Sequence, residues 1–152
     1  MGRMVPCAGG WGVSRLMLEC LTLLLQLHGC APAATAVSEK AATLNEFRSG
    51  NGLSELRVDS KMVQLAKAHA EDMARREHMD HNGFFEKRGP AGARAENVLY
   101  GCASMTCTIQ NWIKSPGHRS NMLLADVKTY GLASAKSKSG VEYWALELGS
   151  GK

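Results

Sequence analysis

This sequence has no apolar run long enough to cross a membrane, no basic stripe, no internal repeat and, beyond residue 36, only two cysteines. The apolar stretch 16–27 falls short of the roughly 20 residues that a membrane-spanning helix needs, and it carries Glu19 and Gln26. Its basic residues are scattered and are not interleaved with aromatics, which sets nucleic acid aside as a partner despite a net charge of +4. Of five cysteines, Cys7, Cys20 and Cys30 precede residue 37, so the rest of the chain keeps only Cys102 and Cys107. A C-x4-C pair with no further Cys is a poor zinc set. In an oxidising compartment it reads as a disulfide closing a short loop, with a soft metal pair as the rival reading.

The N-terminal stretch has the layout of an export signal. Arg3 and Arg15 precede the short apolar run, and small residues follow it. Two processing sites compete. Leu27-His28-Gly29-Cys30 resembles a lipobox, which would lipidate Cys30, whereas Ala34-Thr35-Ala36 is an A-x-A site for release. Either way the expected organisation is a leader and tether over 1–36 and a folded domain over 37–152, placed outside the cytoplasm. A membrane would be met only through the lipid. Removing two Arg and one Glu with the leader lowers the net charge from +4 to +3.

The folded part opens with helical patterning and ends with strand patterning. Ser38 is positioned to cap a helix carrying Ala41, Leu44 and Phe47, which Gly50-Asn51-Gly52 ends. Asp59 or Ser60 caps a second helix, with Met62, Leu65, Ala66, His69, Ala70 and Met73 on one face. Ser104 or Thr106 starts a third helix, Pro116-Gly117 breaks it, and a short fourth helix carries Met122 and Leu123. The period then changes to two over 129–135 and 141–148, joined by a Lys/Ser/Gly hairpin. Helices followed by a terminal antiparallel pair read as α+β. The stretch 78–94 is a long loop of functional composition.

Four groups in this pattern could carry chemistry. His69 sits on the apolar face of the second helix and reads as a core histidine. His78 and His81 are three residues apart, with Asp80 between them able to orient an imidazole. Glu96 leads into the apolar segment Val98-Leu99-Tyr100, where a carboxylate either bonds backbone or faces a cleft. Ser115-Pro116-Gly117-His118 presents His118 at the start of the next helix. Ser115, His118 and Glu96 could make a nucleophile, base and orienter, but no nucleophile elbow surrounds Ser115.

These motifs occur in an order that resembles a known family. Leu44-Asn45-Glu46-Phe47-Arg48, Gly52-Leu53, Leu56, His69-Ala70, Met73-Ala74, His81, Glu96-Asn97, Trp112, Ser115 to His118, Asn121-Met122-Leu123, Tyr130-Gly131 and Tyr143-Trp144 look like a CAP domain. That is the cysteine-rich secretory, antigen 5 and pathogenesis-related superfamily, and the form resembles its small bacterial members. The resemblance implies an α-β-α sandwich, with helices flanking a small antiparallel sheet. It also implies a cleft built from His81, Glu96 and His118. Ser115 stands where a second family Glu is expected, so the His/Glu tetrad is incomplete.

The expected function is ligand binding in the envelope or outside the cell. The ligand would be a divalent metal such as zinc on His81, Glu96 and His118, a small apolar molecule or lipid, or an envelope polymer. Asn97 and Tyr100 would support the site. The alternatives are a hydrolase, with either Glu96 as base to a metal-bound water or Ser115 as nucleophile, and a structural protein without a ligand.

Overall fold

The structure, a computed structural model, describes residues 41–151. The leader, Cys30 and Ser38 lie outside the described residues. The first helix, α1 (Leu44–Gly50), is capped within them by Thr43, whose hydroxyl accepts from the Glu46 N–H. Glu46 reaches back to the Ala42 N–H, close to the reciprocal arrangement of a capping box.

Asp59 caps α2 (Ser60–Arg76) by accepting from the Met62 N–H, and Glu77 ends it in the left-handed conformation with φ 51°. Ser104 caps α3 (Met105–Lys114). Ser115 is the joint to α4 (Pro116–Met122), where proline occupies a first-turn position that needs no N–H.

The strands are β1 (Arg57–Val58), β2 (Ala93–Tyr100), β3 (Thr129–Lys136) and β4 (Glu142–Gly149). They form one sheet in the order β1-β3-β4-β2. Three strands are antiparallel, and the two-residue β1 pairs parallel to β3, so the sheet is mixed. Alternation announces β3 and β4. It misses β1, which is too short to show a period, and β2, which is buried along most of its length and so does not alternate.

The fold is α+β, with helices on both faces of the sheet. Ala66, Ala70, Met73 and Ala74 of α2 pack on Val98, Tyr143 and Ala145. On the other face, Leu44 and Phe47 of α1, Ile109, Trp112 and Ile113 of α3 and Met122 of α4 pack on Leu146 and Leu148. Arg48 joins the layers at one corner, its buried guanidinium donating to the carbonyls of Ser54, Met122 and Leu124. The disulfide Cys102–Cys107 links the end of β2 to the first turn of α3.

One contact sets how closely α2 approaches the sheet. A Cβ on Gly131 would lie 2.1 Å from the Met62 carbonyl carbon and the Val63 nitrogen. Those atoms are backbone and cannot rotate away. Gly131→Ala is therefore expected to lift α2 off β3 and cost about 3 kcal/mol, the upper end for overpacking. Urea denaturation checks this, and an unchanged midpoint would refute it.

Candidate functional site

Strand register brings two carboxyl groups face to face. Glu96 of β2 pairs with Glu147 of β4, and Glu147 shares its side of the sheet with Tyr143 and Ala145, under α2. Glu96 is 5 % exposed and Glu147 is fully buried. Two buried carboxylates so placed repel one another and need a counter-charge. It comes from a π-helical turn, Phe84–Arg88, entered through Gly83 at φ 78°.

Arg88 is buried at the end of that turn. Its Nε donates to Glu96 Oε2 at 2.5 Å and its Nη2 to Glu96 Oε1 at 3.0 Å. Nη1 donates to the Asn82 carbonyl. Nε also lies 3.0 Å from Glu147 Oε1, but its N–H is aimed at Glu96, and neither Glu147 oxygen accepts a hydrogen bond among the described residues.

That orphan carboxyl is resolved by a proton. Burial, then the hydrogen bond and charge of Glu96, push Glu147 up to about 10. The proton is thus held well above the ordinary carboxylate range, which turns Glu147 from an unpaired acceptor into a group able to donate to the Glu96 carboxylate that strand register sets beside it. Burial would raise Glu96 too, but the hydrogen bonds from Glu147 and Arg88 and the nearby His69 outweigh it, so Glu96 is held below the usual carboxylate range. The cluster therefore contains one guanidinium, one carboxylate and one acid, with no net charge.

The imidazoles are arranged around this cluster. His69 of α2 is buried, with Nε2 at 2.9 Å from the Asp80 carbonyl oxygen and 3.7 Å from Glu96 Oε1. Burial holds it below its ordinary pKa. His81 lies on the outer side, its side chain 56 % exposed, with Nδ1 at 2.7 Å from Glu96 Oε1. An ionised Glu96 makes Nδ1 the donor and leaves Nε2 to the solvent side. His118 is half-buried beside the Trp112 ring, at 6.3 Å between centroids. Burial, then the charge of His81, hold its pKa down.

Asn97 and Asn121 fix His118 through the backbone. Asn97 Nδ2 donates to the His118 carbonyl at 3.0 Å, and Asn121 Nδ2 donates to Asn97 Oδ1 and to the Glu96 carbonyl. A cleft of about 470 Å³ opens here, lined by His81, Phe84, Phe85, Arg94, Glu96 and Asn121.

Other expected residues stand elsewhere. Asp80 does not orient His81. It is bound by both terminal nitrogens of Arg76 and by the Asn82 N–H, and Glu96 takes the orienting place. His78 is exposed, 3.8 Å from Asp80. Tyr100 is exposed and stacked on Tyr143, at the far end of β2 from Glu96. No hydrogen bond links Ser115 to His118 among the described residues.

Arg88 and Glu147 escape the sequence reading. Glu147 had a signal, a carboxylate at an inward position of an apolar alternating strand. Arg88 had only its place before Gly89 in a loop.

The family pattern raises the question of a metal. Both Glu96 oxygens already face a guanidinium, so a divalent cation on that carboxylate would meet Arg88 at hydrogen-bond distance. Among the described residues no group of three or more His, Cys, Asp or Glu is placed to hold a metal ion. The donor set does not fit a resident cation ligated by Glu96.

Comparison with known proteins agrees with the fold. The model of the CAP, cysteine-rich secretory protein family matches residues 41–148. The uncharacterised protein YkwD of Bacillus subtilis is 26% identical over 120 residues, which is 72% of this chain and 47% of that protein. The chain thus spans about half the length of that curated relative. An outer surface protein of Borrelia burgdorferi shares the fold with a TM-score of 0.61 at 16% identity, over 72% of this chain and 87% of that one. So does an extracellular protein containing a SCP domain from Bacillus anthracis, with a TM-score of 0.50 at 22% identity, over 68% of this chain and 37% of that one.

The charge cluster can be tested at both of its unusual members. Arg88→Met removes the guanidinium that faces Glu96 and Glu147 and is expected to cost about 3–5 kcal/mol, as for a broken buried pair. Wild-type stability in chemical denaturation would disprove it. For Glu147 the folded pKa lies above the unfolded value, so the folded state binds the extra proton, and stability falls as pH rises from the normal carboxylate range towards about 10. Glu147→Gln keeps the donor and abolishes that loss. It should raise stability at about pH 8 and flatten the pH profile. A variant as pH-dependent as the parent contradicts the assignment.

Proposed function

Because the chain belongs to the CAP family of cysteine-rich secretory proteins, we propose that it acts outside the cytoplasm as a binding domain. Its ligand is an uncharged saccharide unit of an envelope polymer, held in the cleft at His81. The observation that carries this reading is Phe85. It is 83 % exposed on the cleft wall, with its ring edge-to-face on Phe84. A large aromatic left this bare at a concave site has an unused apolar face.

The charge balance favours a neutral ligand. Glu96 is cancelled by Arg88, and Arg94 is engaged with Asp126 at 3.0 Å. What faces the ligand is an imidazole edge, an amide and two phenyl rings, a mixture of apolar wall and a few polar groups suited to binding. The cleft volume of about 470 Å³ has room for one or two sugar rings at the size of ordinary ligand sites. The C–H face of a pyranose, with its partial positive charge, complements the negative face of a phenyl ring, and its hydroxyls suit His81 Nε2 and Asn121. The family setting and the extracellular or outer-surface character of the similar structures support the location.

Co-sedimentation with purified bacterial wall glycan tests this. Phe85→Ala is expected to weaken binding about tenfold, or ~1.4 kcal/mol, with an unchanged melting temperature because the ring is exposed. Soluble glycan fragments should compete. Equal binding by wild type, Phe85→Ala and His81→Ala would overturn the proposal, as would stoichiometric zinc binding that excludes the glycan. Release of glycan fragments that depends on His81 would turn the reading to hydrolysis.

A further inference from the structure

The two edges of the sheet are finished differently. Along β2 the outward carbonyls are covered by side chains. Trp112 Nε1 donates to the Val98 carbonyl at 3.1 Å and Asn121 Nδ2 to the Glu96 carbonyl at 3.1 Å. Along β3 the cover stops early. Arg57 and Val58 pair only with Thr129 and Tyr130, whereas β3 continues to Lys136.

The hydrogen-bond alternation tells which β3 groups remain. Ser137 N–H donates to the Val141 carbonyl across the hairpin, and the Tyr130 carbonyl accepts from the Asp59 N–H on the opposite side. Odd-numbered residues therefore face β4, and the backbone groups of Leu132, Ser134 and Lys136 face away from it. Among the described residues no backbone group pairs with these three. A row of unpaired N–H and C=O groups is a template for another strand.

Beside this edge lies a groove of about 410 Å³, lined by Val58, Val63, Met105, Tyr130, Leu132 and Trp144. Val58 and Met105 are 66 % and 40 % exposed. The ends of the open stretch are basic. Arg57 and Lys136 are exposed, as are Lys61 and Lys128 nearby. Of the neighbouring acids, Asp59 is turned to cap α2 and Glu142 accepts from the Ser134 hydroxyl. A second copy of the chain would bring Lys136 against Arg57, so edge-to-edge self-pairing is opposed by charge.

We infer that the open edge of β3 is a docking site for an extended polypeptide segment with apolar side chains at alternate positions and acidic residues at its ends. Such a segment adds as a fifth strand, its backbone pairing with Leu132 and Ser134 and its apolar side chains filling the groove. This surface and the saccharide cleft lie at opposite edges of the sheet, so the inference does not depend on the function proposed for the cleft.

Amide hydrogen exchange on the ¹⁵N-labelled chain tests it, with the synthetic peptide Glu-Val-Thr-Val-Thr-Val-Glu and a Lys-flanked version as probes. The expected result is that the Leu132 and Ser134 amides, fast-exchanging alone, slow about tenfold or more with the acidic peptide. The Lys-flanked peptide should need a much higher concentration. Ser134→Pro removes an outward N–H without touching the β3–β4 ladder and should abolish the protection. Val58→Glu, at an exposed position, should weaken it about tenfold even if the proline variant fails to fold. No protection at millimolar acidic peptide overturns the inference. So does equal protection by both peptides, or protection without peptide that grows with chain concentration, which would assign the edge to self-association.

Discussion

A single buried guanidinium holds this site together. Arg88 faces Glu96 and Glu147, two carboxyls that strand register places opposite one another under α2. With two acids and one base, the cluster is balanced only if one acid keeps its proton, and the more deeply buried Glu147 keeps it. Several features of the molecule follow. The loop 78–94 must curl into a π-helical turn to deliver Arg88 inward. The ionised Glu96 then fixes the tautomer of His81, and its charge at the cleft is offset by Arg88. Buried ion clusters of this kind are weak sources of stability. The part this one plays is to hold a loop and an imidazole in place.

The cleft forms where β2 meets the α3–α4 joint, and side chains rather than another strand seal that edge. Trp112, Asn97 and Asn121 supply the donors. They hold α4, and with it His118, against the strand that carries Glu96. The opposite edge, beyond the two-residue β1, has no such donors among the described residues. The same sheet is thus closed by side chains at the cleft and open along β3.

Much of the fold is legible in the residues, because helix caps, the Pro116 joint and the β3–β4 alternation are local signals. β1 and β2 are not, one being too short and the other too buried to alternate. At the site, the Pro116-Gly117 turn draws attention to His118 and the i, i+3 spacing to His81, while their grouping with Glu96 is what the family resemblance implies. The actual partnership is a matter of register. Asp80, two residues from His78 and one from His81, is the obvious orienter by spacing, yet Arg76 one helical turn earlier captures it. Glu96, fifteen positions from His81, does the orienting. Glu147, fifty-one positions from Glu96, meets it only once β2 and β4 pair, and Arg88, eight positions away, only once the π-helical turn has formed. Local spacing contains neither contact.

The most direct test is carboxyl ¹³C NMR of the chain labelled at glutamate, followed from about pH 4 to pH 9, with Glu96 and Glu147 assigned by substitution to Gln. The account predicts that at about pH 7 the Glu147 carboxyl keeps the shift of a protonated acid while Glu96 is ionised, in contrast to ordinary glutamates. If both carboxyls ionise together in the ordinary glutamate range, the cluster carries an uncompensated negative charge. The neutral cleft, and the ligand class argued from it, would then be wrong.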